Sequence, residues 1–502
     1  MKTKNLFIAG VLAIAGTAFG QVVQTPLTTG IGEDNGGVYV PGGAGYGNNS
    51  TFLGVRAGRW SDASGTNQGA NTFVGHETGM GNSSTIKPTG FRNTFMGFQA
   101  GRNFIGARDN AFLGYQAGIN CAAGNENTFV GSGAGFNNLA SSNTFVGFSS
   151  GSANSSGSQN VFLGWVSGMQ NTTGEANVFV GSLAGHSNTT SGGNVFIGGQ
   201  AGQLSNTGAY GGNVYIGHAS GVGNAAGTGN TFLGALSGEN STGSSTVAIG
   251  FRAGRQNINI NNVFVGTDAG VANTSGISNT FVGSNAGLAN QTGYNNTLIG
   301  FQAGNGILGS ENLAIGTQAG FTTTGSGNIF IGNGAGFSET GSNKLYISNN
   351  STATPLIYGD FAAGKVGIGG TAHPSGSADG FPSTAGSVNV SGYKLFVKGG
   401  ILTEEVRVSL ANTWADYVFA DDYKLASLPE VEKYIAANGH LPNVPSAKQV
   451  KEDGIELGDM ARIQQEKIEE LTLYAISQDK QLTEQNKKLA QQQKRLTNLK
   501  QQ

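Results

Sequence analysis

Nine residues, "NTFVGSNAG" at 279–287, recur with small changes along most of this chain. "NTFVGHETG" begins at Asn71, "NVFVGSLAG" at Asn177 and "NIFIGNGAG" at Asn328. The first glycine of the motif falls at Gly54, Gly75, Gly97, Gly114, Gly131, Gly147, Gly164, Gly181 and Gly198. It continues at Gly217, Gly234, Gly250, Gly266, Gly283, Gly300, Gly316 and Gly332. These are 17 copies, spaced by 16 or 17 residues except for two longer steps at the start and one of 19 before Gly217. A period this short cannot hold two helices. It suits one coil of a β-solenoid, with a short strand, a turn, a second short strand and a return.

Three columns carry the physics of such a stack. Asn opens 15 of the 17 copies, with Ser50 and Thr246 as exceptions. Stacked coils would set these amides in a ladder, each bonded to its neighbours above and below. An aromatic column runs Phe52, Phe73, Phe95, Phe112, Phe129, Phe145, Phe162, Phe179, Phe196 and Tyr215, then Phe232, Phe264, Phe281 and Phe330. Ala248, Leu298 and Ala314 interrupt it. The next column is aliphatic, as in Val74, Val180, Val282 and Ile299, and the glycines that follow permit turns. The expected repeat core is therefore Asn71, Phe73, Val74 and Gly75, with Asn177, Phe179, Val180 and Gly181, and Asn279, Phe281, Val282 and Gly283 as its equivalents.

Neighbours on a strand point to opposite faces, and here both faces are apolar: Phe281 looks one way, Thr280 and Val282 the other. One face can line the coil. The other needs a surface that a lone solenoid lacks, most simply supplied by sister chains. Pattern alone leaves open whether the aromatic or the aliphatic column faces inward.

"STVAIGFRAG" (245–254) and "NLAIGTQAG" (312–320) resemble the head repeats of trimeric autotransporter adhesins. The resemblance covers residues from about 48 to 340, is more specific for "NLAIG" than for "NTFVG", and the coils run somewhat longer here. It implies a left-handed parallel β-roll, three chains about one axis, and a surface-binding role. The family's C-terminal membrane anchor of β-strands has no counterpart in the final "QQQKRLTNLKQQ", so self-insertion into an outer membrane is not expected.

Charge changes abruptly after the repeats, from 17 charged residues in 48–340 to 29 in 401–502. "NKLYISNNSTATPLIYGDFAAGKVGIGGTAHPSG" and "YKLFVKGGILTEEVRV" alternate apolar and polar residues and predict strands. They resemble the β-rich shafts of phage-type tail fibres, which implies three interleaved chains. In "WADYVFADDYKLASLPEVEKYIAANGHLPNVPSAKQV", Ser427 and Pro429 suit a helix start, Glu430 and Glu432 its first turn, and Gly439 its end. The segment resembles the C-terminal region that follows such shafts in bacterial surface proteins, without matching self-cleavage residues. Finally Ile468, Ala475, Leu482, Leu489 and Leu496 recur every seventh residue, alongside Leu471, Gln478, Gln485, Gln492 and Leu499. Ile468, Leu471, Leu482, Leu489, Leu496 and Leu499 are the expected seam of a trimeric coiled coil.

The expected organisation is a signal peptide at 1–20, a leader at 21–47, the roll at 48–340, the shaft at 341–406, a small α+β domain at 407–458 and the coiled coil at 459–502. The opening "MKTKNLFIAGVLAIAGTAFG" has the charged start, short apolar run and small residues of an export signal. Export places the fibre outside the cell or on the surface of a Gram-negative-type bacterium. Glycine, at 86 of 502 residues, would suggest disorder if the apolar residues did not fall at fixed offsets. A net charge of −2 gives no electrostatic reason to expect nucleic acid or anionic lipid.

Reactive side chains are sparse in the same pattern. The repeats' acids, Glu77, Asp109, Glu126, Glu175, Glu239, Asp268 and Glu311, share no level of the stack, and Asp421 and Asp422 are adjacent rather than facing. His76, His186, His218, His373 and His440 show no ligand spacing, and the Gly-rich runs lack the Lys-Ser/Thr of a phosphate loop. The lone Cys121 suits a small buried residue. No catalytic residue, cofactor or metal is expected. The sequence predicts a non-catalytic homotrimeric fibre, an adhesin or structural element whose partner is a surface glycan or a host or matrix ligand. Arg56, His76, Tyr115, Trp165 and His218 would decorate its surface. The alternative is a tail-spike-like fibre that binds or cleaves glycans. Ice binding would need a flat exposed Thr array, whereas the Thr column is mixed with Val, Leu and Ile and is expected to be buried.

Overall fold

A computed structural model describes residues 22–25, 28–31, 50–59, 69–81, 89–208, 210–370, 380–409 and 414–501. The expected signal peptide lies outside them. The chain divides into two units, Met1–Gly364 and Lys365–Gln502.

The first unit is a parallel β-solenoid. Seventeen strands of three or four residues, from Ser50–Leu53 to Ile329–Ile331, fall one to a repeat. Each pairs in parallel with the next, residue for residue, as Val178, Phe179 and Val180 do with Val195, Phe196 and Ile197. The aromatic column is the inward one. Phe73, Phe179 and Phe281 are fully buried, and rings from Phe95 to Phe232 stack at 4.5 to 5.0 Å, the spacing of neighbouring strands.

Among the described residues the second strand expected in each coil is absent. After Val178–Val180 the chain turns at Gly181, whose φ of +136° is open only to glycine, and where a Cβ would sit 2.4 Å from the carbonyl oxygen of Gly198. Leu183 is left-handed at φ +60°, and hydrogen bonds three residues back, Ala184 N to Gly181 O and Asn188 N to Gly185 O, close successive turns. A strand cannot survive those dihedrals. The turns instead bond coil to coil, Gly185 N reaching Ala201 O at 3.0 Å and Ser187 N reaching Gln203 O at 2.8 Å.

The Asn ladder forms, and it is directional. Asn177 Oδ1 accepts the backbone N–H of Asn194 at 3.0 Å, while Asn177 Nδ2 donates to Ser191 O at 2.9 Å. A second ladder stands five or six residues before the first. Asn171 Nδ2 donates to Asn154 Oδ1 at 2.7 Å, and Asn290 Nδ2 to Asn273 Oδ1 at 2.9 Å. The two alanine interruptions of the aromatic column are filled from the next coil: a Cβ on Gly254 would lie 2.6 Å from the ring of Phe264 and 3.4 Å from Ala248 Cβ. Phe330 lies equally close to Gly320, in the coil of Ala314.

Both ends of the stack carry a hairpin. Thr28–Ile31 pairs in parallel with Ser50–Leu53, and Val22–Thr25 pairs antiparallel with it. At the other end Lys344–Ile347 continues the parallel register beyond Ile329–Ile331, placing Tyr346 under Phe330, and Ile357–Asp360 folds back antiparallel on it.

In the second unit Lys365–Ile368 pairs in parallel with Leu395–Val397, and Phe381 packs on Phe396 at 5.0 Å. Residues 398–409 form no strand, unlike the expectation for "GGILTEEVRV"; Ile401, Leu402, Val406 and Val408 stand exposed there. A strand needs a ladder partner, and none pairs with that segment among the described residues. Helix α1 (Leu428–Asn438) starts as expected, Ser427 N–H and Oγ–H both donating to Glu430 Oε2 at 2.8 Å, and ends at the left-handed Gly439. Helix α2 (Ala447–Asp453), not anticipated, is capped by Ser446, whose Oγ accepts from Gln449 N–H at 3.2 Å. Helix α3 (Leu457–Lys500) is 44 residues long, about 66 Å at 1.5 Å per residue. No helix among the described residues is long and apolar enough to cross a membrane.

Candidate interaction surface

With the ring inward, the first and third residues of every strand must face out. Val74, Val180 and Val282, grouped with the core from pattern alone, stand on this outer face together with Thr72, Val178 and Thr280, all half-exposed. Leu53, Met96, Leu113, Leu233 and Ile299 are exposed. Because the register is residue for residue, they align into an aliphatic column and a mixed Thr and aliphatic column along the whole roll, about 80 Å at roughly 4.8 Å per coil. The Thr column is not buried: Thr51, Thr94, Thr128 and Thr231 are exposed, although Val161, Val178, Val195 and Val214 break the run of hydroxyls.

A third column, the residue after the first glycine, borders this face. Val55, Phe98, Tyr115, Phe148, Trp165, Phe251 and Phe301 are exposed in it, as are His76 and His218. His76 stacks on Phe98, and Phe98 on Tyr115, each at 5.3 Å and 6°. The rings cover one another's faces and present their edges outward. Of the residues expected to decorate the surface, His76, Tyr115, Trp165 and His218 lie here, while Arg56 is engaged with the next coil.

The carboxylates of the roll join adjacent coils. Glu77, itself buried, accepts from Arg56 Nη1 at 3.0 Å and from Gln99 Nε2 at 2.9 Å, with Arg102 Nε 3.1 Å away. Burial pushes its pKa up, but these donors outweigh it and hold the carboxyl below its usual range. Arg92 grips Asp109 at 2.5 and 2.8 Å, Arg252 grips Asp268 at 2.7 and 2.6 Å, and Arg255 pairs with Glu239. Among the described residues no three His, Cys, Asp or Glu are placed to hold a metal. Cys121 is fully buried in the stack, where desolvation pushes its thiol pKa up to about 12.

On α3 the heptad residues Ile468, Leu471, Leu482, Leu489, Leu496 and Leu499 are all more than half exposed in the single chain. What α3 does bury is polar. Tyr417 donates to Glu466, Tyr423 Oη to Glu470 Oε1 at 2.5 Å, and Lys467 Nζ sits 2.9 Å from both carboxylates. Tyrosines spaced by six residues in "DYVFADDY", before a helix carrying "EKIEE", were the only hint of this docking. No protein-family description, curated protein or solved structure matches the chain.

Proposed function

We propose that the chain is one strand of a non-catalytic homotrimeric fibre, exported and displayed at the surface of a Gram-negative-type cell, where it serves as an adhesin or structural spacer. The supporting observation is the outer face of the roll. An aliphatic column and a mixed Thr and aliphatic column run its whole length without interruption by charge, in a chain whose inward rings are already buried. Continuous apolar exposure on this scale marks an association surface. A sister roll is the partner that matches its length and register, because a self-complementary surface recurs in each copy. The resemblance to autotransporter heads adds the left-handed coil and the threefold arrangement.

Two features of the second unit support the same stoichiometry. The Ile468-to-Leu499 seam is exposed, and residues 401–409 hold apolar side chains with no ladder partner. In a trimer the first forms a coiled coil and the second interleaves with sister chains. The fibre would then hold its variable margin, including Tyr115 and Trp165, away from the cell to meet a glycan or matrix ligand.

Sedimentation equilibrium of the purified full chain, with negative-stain imaging, tests this. A mass of three chains and a rod are expected. A single well-behaved chain across the micromolar range would remove the proposal.

A further inference from the structure

At the C-terminal end of the roll a lysine takes the place of the ladder asparagine. Lys344 N–H donates to Asn328 Oδ1 at 2.8 Å, as each Asn did before it. Its side chain does something new. Lys344 Nζ lies 2.5 Å from Asp360 Oδ2, its cross-strand partner on Ile357–Asp360, and both residues are at least nine-tenths buried. Tyr346 and Tyr358, packed edge to face at 5.2 Å and also buried, wall the pair.

Two further groups make this more than an ion pair. Asp360 Oδ1 accepts the backbone N–H of Ala363 at 2.8 Å, a donor fixed on the oxygen not facing the amine. Glu339 accepts from Tyr346 Oη at 2.5 Å and from Gly341 N at 2.6 Å. It stands beside the lysine stem at Gly341, where an added Cβ would meet Glu339 Oε1 at 2.9 Å and Lys344 Cε at 3.2 Å. A buried nucleophile, electrophile and oxyanion donor thus converge, with a second, partly exposed carboxylate at their margin.

We propose that Lys344 and Asp360 condense, without any enzyme or cofactor, into an intramolecular isopeptide bond that seals the end of the roll. The ammonium first gives a proton to Asp360 Oδ2, with Glu339 as the carrier. The Nζ lone pair then attacks Cγ, and negative charge gathers on Oδ1, where the Ala363 N–H holds it. The Cγ–Oδ2 bond breaks, and Oδ2 leaves as water with two protons from the original ammonium. The amide keeps the third. No oxidant or activated donor is needed. Burial alone would lower the lysine pKa, but the Asp360 hydrogen bond overrides it, so the pair begins charged and the proton shift is the step that Glu339 must assist.

The inference stands whether the roll is single or trimeric. The full-length chain, purified under native conditions and then denatured, is digested with trypsin and its peptides sequenced by mass spectrometry. The expected product is one continuous peptide, 256–365, uncleaved after Lys344, closed into a loop by the Lys344–Asp360 amide and lighter by one water than the same linear sequence. Unlinked peptides and ordinary cleavage after Lys344, from protein with intact β circular dichroism, would overturn the proposal. Lys344→Arg should abolish the looped peptide and restore cleavage after position 344. In Glu339→Gln, unlinked chain should persist and convert at least tenfold more slowly; an unchanged rate would overturn the part given to Glu339.

Discussion

Each coil of the roll and each helix of the second unit solve the burial problem in opposite ways. The coil from Asn177 hides Asn177, Phe179, Ala184, Asn188 and Ser191 completely, using only itself and the coils on either side. Helices α1 and α2 bury no residue, and α3 buries Gly458, Glu466 and Glu469 while its leucines stand in solvent. The roll is thus self-sufficient along its axis and unfinished only at its flank. The second unit is unfinished almost everywhere. A chain can complete a structure by stacking on its own repeats, but a non-repeating segment of low apolar content must borrow its core.

That contrast can be broken most severely inside the roll. Phe179→Ala should cost about 3–5 kcal/mol, since the ring is flanked by Phe162 and Phe196 and the gap cannot close without moving two coils. Hydrogen exchange of the amides in the flanking coils is the suitable readout, because repeat arrays need not unfold in one step. Asn177→Ala should cost about 1–3 kcal/mol by the same measure, leaving the buried N–H of Asn194 without its acceptor and the carbonyl of Ser191 with only the donor from Asn188.

A smaller effect of unexpected sign sharpens the comparison. Ala248→Phe restores the repeat consensus, yet it should destabilise by about 1–3 kcal/mol, because Phe264 already occupies the space beside Gly254. A stabilised variant would show that the tilt of Phe264 is incidental. In the second unit, Leu489→Asn should cost roughly 1–2 kcal/mol per chain if the seam is buried between sisters, and almost nothing in a lone helix where Leu489 is 53% exposed. Dilution-dependent melting of α3 by circular dichroism separates the two outcomes while roll amides stay protected.

The smallest expected effect is a titration. Glu77 has a folded pKa below its unfolded one, so the stability it lends is present above the unfolded value and is lost as pH falls through the folded value. Acidification below about pH 4 should therefore loosen the first coils before the rest. Glu77→Gln should remove that pH dependence while leaving exchange in the coils near Asn279 unaltered.

Much of the roll was legible because a period is a geometric statement. Copies of "NTFVG" at near-constant spacing force like residues into columns, and the ladder of amides follows from that alone. The direction each column faces was not legible, because it depends on the dihedrals of the turn, and Gly181 could have turned the strand either way. Likewise Leu183 carries no mark in the sequence of its left-handed conformation, so a second strand was a fair expectation that backbone geometry overrode. The second amide ladder was visible in principle: Asn154, Asn171, Asn188 and Asn290 each stand six residues ahead of a motif asparagine. The Lys344–Asp360 contact was out of reach, since it rests on a hairpin register that only the fold sets. The apolar margin of Phe98, Tyr115 and Trp165 was partly foreseen as surface, while the docking of Tyr417 on Glu466 depends on long-range packing that no local pattern reports.

The directional amide ladder has one further consequence. Successive asparagines from Asn143 to Asn230 present the same acceptor to whatever follows them, so in that stretch, away from the paired Ala248 and Phe264, one coil can succeed another. Removing residues 177–193 would bring Asn194 onto the acceptor of Asn160, which now receives Asn177, and shorten the rod by about 4.8 Å with both end hairpins intact. Duplication in a gene would lengthen it by the same unit. The molecule is in this sense a ruler whose graduations can be added or struck out by inheritance without recalibrating the rest.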